Sequence, residues 1–325
     1  RLNLKMSAGA ADEVRCKWAC RAGTEHAIAI LVEDLRASDS LLDLWSDNEE
    51  DFNDVLLERC RYDVRVTDEA GRLNLNTVTK EQLMTLPDMD ESIAEALLDW
   101  RDTDEEPRAL GVERGYYETL PIPYLIRNGP LRTVRELLRV KGVTEDLLYG
   151  EDTNLNDWLD YNERDGEASP PWDNGDDVLD QGWIAFLTCH SYERNIDANG
   201  SRRININQAD QRQLESDLGL KSTQAKWIVD NRGGGFQSIA DLINEQSPPS
   251  APQGAGGNQN QAEPIDLQTF QQIADRITIS GEEKIPGKIN INTAPQEVLV
   301  ALFGGDDAAE QLAQTVMANR SSLAY

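Results

Sequence analysis

Residues 152–163 read DTNLNDWLDYNE, a twelve-residue run dense in oxygen-bearing side chains. A calcium loop of the EF-hand kind takes side-chain ligands at positions 1, 3, 5, 9 and 12 and a backbone carbonyl at position 7, because a large hard cation gathers six or more oxygens. Asp152, Asn154, Asn156, Asp160 and Glu163 stand at the side-chain positions, and the Trp158 carbonyl at position 7. Position 6 is Asp157, where such loops use glycine. A side chain there must accept an unfavourable backbone region, which Asp tolerates better than most. Two further acidic sets are candidates for Ca2+. Asp173, Asp176 and Asp180 lie in DNGDDVLD, a degenerate second loop whose first position is Trp172. Asp99, Asp102 and Asp104 face Glu113 across a long loop. A solvated acidic turn is the alternative at each place. Sites of this kind suit affinities of ~0.1–1 mM, the range of extracellular calcium modules.

Other chemistry is thin. The two histidines, His26 inside a helical stretch and His190 beside Cys189, come with no visible nucleophile–base pair, and no Gly-rich phosphate loop or HExxH run is present. Catalysis is therefore not expected. Cys16, Cys20, Cys60 and Cys189 are too few and scattered for a disulfide scaffold. Cys16 and Cys20 are four apart, but no second close pair completes a zinc site. Whether either pairs with Cys60 stays open.

The elements around these acids are organised by a phrase used three times. GRLNLNTVTKEQL occupies 71–83, RRININQADQRQL 202–214 and GKININTAPQEVL 287–299. Each predicts a short extended segment that stops on Asn and hands over to a helix. Arg101, Arg232 and Arg320 follow Asn74, Asn205 and Asn290 by 27, 27 and 30 residues. Two short helices joined by a tight turn resemble the helix-hairpin-helix unit, whose Gly-hydrophobic-Gly turn in DNA-binding examples offers backbone N–H groups to a phosphate. The first turn here is Pro87-Asp88-Met89-Asp90, the second Gly219-Leu220-Lys221 and the third Gly304-Gly305-Asp306. Aspartates replace the glycines of the first, and either would repel a phosphate. The chain carries 59 acidic against 31 basic residues, a net charge of −28, which repels nucleic acid and anionic lipid at long range. A helix-hairpin-helix DNA-binding protein of the competence type is thus the weaker reading, and a helical packing module the better one.

At 325 residues the chain has length for two or three cores. The spacing predicts a long Ala-rich helix over 8–36, a second over 48–59, a hairpin over 61–76 and helices through 77–150. The capping box Thr79–Gln82 opens one, and Ile93, Ala94, Leu97 and Leu98 line the core face of the next. Thr133–Arg139 and Thr144–Tyr149 form a last helical pair around Lys141-Gly142, and Gln181–Ser191 reads as a buried strand. Domain boundaries are expected as follows: 1–76, the N-terminal helix and first strands; 77–165, a helical module with the acidic loop; 166–200, an acidic loop and strand. A second repeat at 201–246, a flexible Pro/Gly/Gln-rich linker at 247–264 and a third repeat at 265–325 follow. The longest near-apolar run, Ala27–Val32, is far short of the ~20 residues a membrane helix needs.

The order of phrases carries a resemblance. RAGTEHAIAIL leads to YDVRVTDEAGRLNLNT and EQLMTLPDMDESIAEALLDWRDTDEEP; then come GVERGYYETL, NGPLRTVRELLRVKGVTEDLLYGED and GKININTAPQEVL. This is similar to the K-type minor pseudopilins of bacterial type II secretion systems, across most of 20–165 and 285–300. The resemblance implies an α+β, predominantly helical fold: a pseudopilin scaffold with a long N-terminal helix on a small antiparallel sheet, carrying a large inserted helical domain. It also implies a calcium-binding protein that caps the tip of a periplasmic pseudopilus and binds the I and J types of minor pseudopilin. Secreted substrates are further expected contacts, and nucleic acid is not. Family members are made with a leader and an inner-membrane helix; the sequence starts at Arg1, so it is expected to be a fragment, truncated at its C-terminus as well. The repeat at 202–246 and the linker after it exceed the common family pattern, and final sheet strands are not recognisable before Tyr325.

Overall fold

The computed structural model describes residues 2–34, 39–164, 166, 168, 170–171, 173–244 and 262–323. Trp172, the end of the expected first helix and most of the 247–264 linker lie outside them. The described residues are mainly helical, with four two-stranded sheets. No helix among them is long and apolar enough to cross a membrane.

Helix α1 runs Leu2–Glu33. Ala19, Gly23 and Ala27 recur every four residues and are buried, so this face carries little side chain. A Cβ added at Gly23 would meet Val64 Cγ2 at 2.9 Å and Tyr62 Cδ2 at 3.0 Å, which shows how closely the chain after it approaches. Helix α2 is only Glu49–Phe52, capped by Asn48. The chain then turns at Asp54, with φ +52°, into β1 (Val55–Leu57), which pairs antiparallel with β2 (Cys60–Tyr62). The helix expected over 48–59 is therefore half strand, and the hairpin is 55–62 rather than 61–76. Thr67–Gly71 does not fold back on itself; Asp68 caps a 3-10 turn at Glu69–Gly71 instead. So β3 (Leu73–Asn74) reaches a distant partner, pairing parallel with β4 (Leu187–Thr188).

Between these strands lie α3 (Lys80–Leu83), α4 (Glu91–Arg101), α5 (Arg114–Glu118) and α6 (Glu145–Tyr149). The Thr79–Gln82 capping box forms, and α4 buries Ile93, Ala94, Leu97 and Leu98 as their spacing predicts. Val134–Arg139 is a 3-10 segment rather than an α-helix, and the expected strand over 181–191 is a 3-10 turn at Trp183–Ala185 followed by short β4.

Strand β5 (Tyr192–Arg194) opens the second module, which contains β6 (Ile204–Asn205), α7 (Gln211–Leu218), α8 (Ser222–Asn231), α9 (Asp241–Asn244), α10 (Leu267–Ile273) and β7 (Ile277–Thr278). β6 pairs parallel with β7, as β3 does with β4. Strand β8 (Lys284–Pro286) pairs with β5, and the third repeat supplies α11 (Gln296–Phe303) and α12 (Asp307–Leu323).

The chain forms two compact units, 1–192 with 286–325, and 193–285. Each has its own core: Leu73, Leu97, Trp100, Trp183, Leu187, Val298 and Leu299 belong to one, and Ile206, Leu214, Trp227, Ile228, Phe236 and Ile277 to the other. The expected boundaries do not follow this division. Residues 265–285 complete the second module rather than open the third, because Ile265, Ile273 and Ile277 bury against its helices.

The thrice-used phrase builds one device three times. Asn74, Asn205 and Asn290 each accept a hydrogen bond from the backbone N–H two residues on, at 2.9, 2.9 and 3.1 Å. Each later Arg then donates to the carbonyls one and four residues beyond that Asn. Arg101 bonds Leu75 and Val78, Arg232 bonds Ile206 and Ala209, and Arg320 bonds Ile291 and Ala294. The near-constant offset is thus the length of a helical hairpin that returns an Arg to the turn it started from.

Candidate cation-binding site

Helix α4 ends in Asp99-Trp100-Arg101, and the loop after it turns back to present Glu113 to the same spot. Asp99, Asp102 and Glu113 offer carboxylate oxygens that all lie within 4.8 Å of one another. Asp99 is fully buried and Glu113 nearly so. Arg108 occupies one side, with Nη1 2.5 Å from Asp99 Oδ1 and 2.6 Å from Asp102 Oδ2. Its backbone N–H also donates to Asp99 Oδ2 at 3.2 Å. Asp102 Oδ1 and both oxygens of Glu113 are buried with no hydrogen-bond partner. With all three carboxylates ionised against one guanidinium, the formal charge of this partly buried cluster is −2, the charge that one divalent cation neutralises.

The electrostatics follow from that imbalance. Burial, then the charges of Asp99 and Asp102, then Glu105 and Asp104, push the Glu113 carboxyl up to about 7. Burial also raises Asp99, against the pull of Arg108. The backbone is shaped to this pocket: a Cβ on Gly111 would sit 2.0 Å from Asp99 Oδ2, so a side chain there would expel the carboxylate. Of the four residues expected here, Asp104 stands aside, and its Oδ1 accepts from the Glu106 N–H at 2.9 Å.

The loop at 152–163 is folded, but its carboxylates do not close into a comparable cluster among the described residues. Asp152 accepts from the Asn156 and Asp157 N–H groups at 3.0 and 2.9 Å, and the Asn154 and Asn156 amides both donate to Asp160 Oδ2. Glu163 is fully buried; its Oε2 accepts from the Asp160 N–H, and Oε1 has no partner. Trp158 is exposed, and its backbone N–H donates to Asn156 Oδ1 at 2.8 Å. Asp157 does take the positive φ that position 6 demands, +57°, and its carboxylate is held by Arg65 and Gln181.

Residues 174–180 repeat this loop. Asn174 donates to Asp180 as Asn154 does to Asp160, and Asp176 accepts from the Val178 N–H as Asn156 does from Trp158. Positive φ falls at Gly175 and Asp177, matching Leu155 and Asp157. The likeness of NLNDWLD and NGDDVLD, four identities in seven, is visible in the sequence but escapes a search for ligand spacing. Asp173, Asp176 and Asp180 spend their oxygens on local turns and do not converge. Glu151, buried and bonded to the Asp180 N–H, ties the two loops together and was not foreseeable from spacing alone. Neither were Arg108 and Gly111, a basic residue and a glycine inside an acidic run. A second acidic set, Asp34, Asp39 and Asp43, also comes together but is half-exposed.

Carboxylates stand at the helix starts of two hairpin turns. Asp90 caps α4, accepting from the Ile93 N–H at 2.9 Å, so a carboxylate already fills the place a phosphate would take. Asp306 does the same at α12, bonding the Ala309 N–H at 2.8 Å. The four cysteines are free thiols, and burial pushes Cys189 up to about 11.

Two family models match the chain, both described as type II secretion system protein K, one over residues 71–149 and the other over 289–324. The chain is 40% identical over 60 residues to the type II secretion system protein K of Pectobacterium carotovorum subsp. carotovorum. That alignment covers 18% of this chain and 18% of the relative, so it spans under a fifth of that protein. Among solved structures, the chain is similar to one in the GspK-GspI-GspJ complex of the enterotoxigenic Escherichia coli type 2 secretion system, at 17% identity and a TM-score of 0.41, covering 84% of this chain and 85% of that one. Models of the type II secretion system protein K family thus match two parts of the chain, one in the first module and one in the last repeat.

Proposed function

We propose that this protein is a calcium-binding minor pseudopilin, a non-enzymatic component that caps the tip of the secretion pseudopilus in the periplasm through contacts with the I and J types. The observation that carries the calcium reading is the buried Asp99–Asp102–Glu113 cluster, whose partnerless oxygens and net charge of −2 fit a hard divalent ion. Asp99, Asp102 and Glu113 would hold it, with Arg108 fixing the orientation of the two aspartates. The 152–163 loop, with Asp152 and Glu163 buried, is a second place for such an ion. The assembly reading is supported by α1, whose Val14, Trp18, Ile28, Leu31 and Val32 are exposed beyond what a solvated helix needs.

The test is thermal unfolding in chelator and in excess calcium. With an affinity in the 0.1–1 mM range, ~10 mM calcium stabilises the folded protein by about 2 kcal/mol through mass action. The Asp99→Asn variant is expected to lose that gain. Equal melting temperatures in calcium and chelator for the unsubstituted protein would sink the calcium reading.

A further inference from the structure

Helix α1 carries two of the four thiols, Cys16 and Cys20, and only one of them lies over the chain it packs against. The buried stripe of α1 is Ala19, Gly23 and Ala27. Cys16 stands seven residues before Gly23, which is two turns, so it lies within about 20° of the same line and ~10 Å along it. Cys20, three residues before Gly23, is turned about 60° aside. The stretch that Gly23 approaches, through Tyr62 and Val64, continues β2. Three residues of extended chain also measure ~10 Å, and three residues before Asp63 is Cys60. Helix and strand therefore run alongside each other in step, and the Cys16 and Cys60 thiols come within hydrogen-bonding reach of each other. Cys16, Ala19, Tyr62 and Val64 line one cleft.

Packing does not account for Cys16. Residues 9–18 are all exposed, Cys16 among them, whereas an unreactive cysteine is ordinarily a small buried hydrophobe. The hairpin supplies a reason for a tie. β1 and β2 form a sheet by themselves, with Leu56 and Leu57 exposed, and such a hairpin is marginal unless something else holds it. Cys60 follows directly on the turn and pairs with Leu57, so a bond at Cys60 holds the tip.

We propose that Cys16 and Cys60 form a disulfide that staples α1 to the tip of the 55–62 hairpin, with Cys20 outside it. The oxidant is a small disulfide such as oxidised glutathione. Burial and the neighbouring thiol raise Cys60 above its usual range, and Cys16 is the more exposed of the two, so Cys16 reacts first. Its thiolate attacks one sulfur of the oxidant, forming a mixed disulfide and releasing one glutathione thiolate. The Cys60 thiol then gives up its proton and attacks Cys16 Sγ, expelling the second glutathione. Two protein thiols lose two electrons and two protons, and the oxidant takes them up as two thiols. The cysteines are 44 residues apart, so the bond closes a long loop and restricts the unfolded chain. Its persistence in the cell rests on the periplasmic reading above, since a reducing compartment keeps such thiols reduced.

The experiment uses purified residues 1–325, reduced, equilibrated with oxidised glutathione, then unfolded, alkylated and weighed intact. The oxidised protein is expected to be monomeric and to take up two alkyl groups and no glutathione, against four alkyl groups for the reduced protein. Cys20→Ser should still lose two thiols to the bond, whereas Cys16→Ser and Cys60→Ser should each alkylate at all three that remain. Oxidation should raise the melting temperature by about 5 °C or more, a gain that Cys16→Ser lacks. Four alkyl groups after oxidation, or glutathione left on the protein, overturn the proposal. So does a bond that survives Cys16→Ser, a disulfide-linked dimer in place of the internal bond, or an internal bond with no rise in melting temperature. Purified protein carries no compartment with it, so any of these failures would count against the pairing and leave the periplasmic reading as it stands.

Discussion

Glu113 is a carboxylate with nothing to bond to: both oxygens are buried, partnerless and faced by Asp99 and Asp102. Without a cation such a group relieves its charge by binding a proton, which is why it is held up at about 7. The sign of the pH dependence follows. Between the ordinary Glu value of 4.5 and about 7, the folded protein holds a proton that the unfolded chain has released. Stability in chelator therefore falls as pH rises through that window, by about 3 kcal/mol in all. Calcium reverses the preference, because only the ionised site binds it. Glu113→Gln makes the sharper test, since its two effects have opposite sign. In chelator at pH 7.5 it relieves repulsion and should raise the melting temperature; in calcium it removes a ligand and should lower the calcium-induced gain. A variant that is destabilised equally in both media would show Glu113 to be an ordinary buried side chain. Spacing alone matches the 152–163 loop to a full set of ligand positions and gives this cluster none. Ligand types can be read along a sequence, but burial and the Arg108 that aligns two aspartates are set by tertiary packing.

At the scale of the element, the hairpin held by its Arg was the most legible part of the chain. The offset from Asn to Arg, the Thr79–Gln82 box and the apolar spacing of α4 are all local, and all appear where the sequence places them. The strands were not legible. β3 needs a partner 114 residues away in register, Leu73 opposite Leu187, and two-residue strands carry no alternation to announce it. The hairpin 55–62 was hidden because Asn53-Asp54 breaks a helical pattern with a positive φ that an aspartate supplies less often than glycine. The Arg itself yields a prediction. Arg232 is the charged donor to the Ile206 and Ala209 carbonyls, which have little access to water. Arg232→Ala should destabilise the second unit by about 2–3 kcal/mol, the usual loss for a charge-assisted pair left half-made. Hydrogen exchange should show the loss at Ile206 and Ala209 amides first. Arg232→Lys, which keeps the charge but not the planar fork, should recover only part of it. If the lysine variant matches the native protein, charge rather than the two-carbonyl geometry holds the turn.

The whole molecule is an acidic chain divided into two independent cores, and the division decides where function resides. The second unit enters through β5 and leaves through β8, and the chain ends that flank it are adjacent: the Gly287 N–H donates to the Ser191 carbonyl at 3.3 Å. No residue of the Asp99–Asp102–Glu113 cluster or of the 152–163 loop belongs to 193–285. A segment inserted between neighbouring chain ends, with its own core, can be removed without opening its host. Replacing Glu193–Ile285 with a short Gly/Ser bridge should therefore leave a folded protein whose melting temperature still rises with calcium as the full chain's does. The net charge sharpens the measurement, because any salt screens a chain of −28. Sodium chloride matched to the ionic strength of the calcium solution supplies that general effect, and the gain beyond it is the site's own. Should the shortened protein fold but respond to calcium no more than to sodium, the cation would have to be held through the second unit. The buried acids after α4 would then be a feature of folding alone.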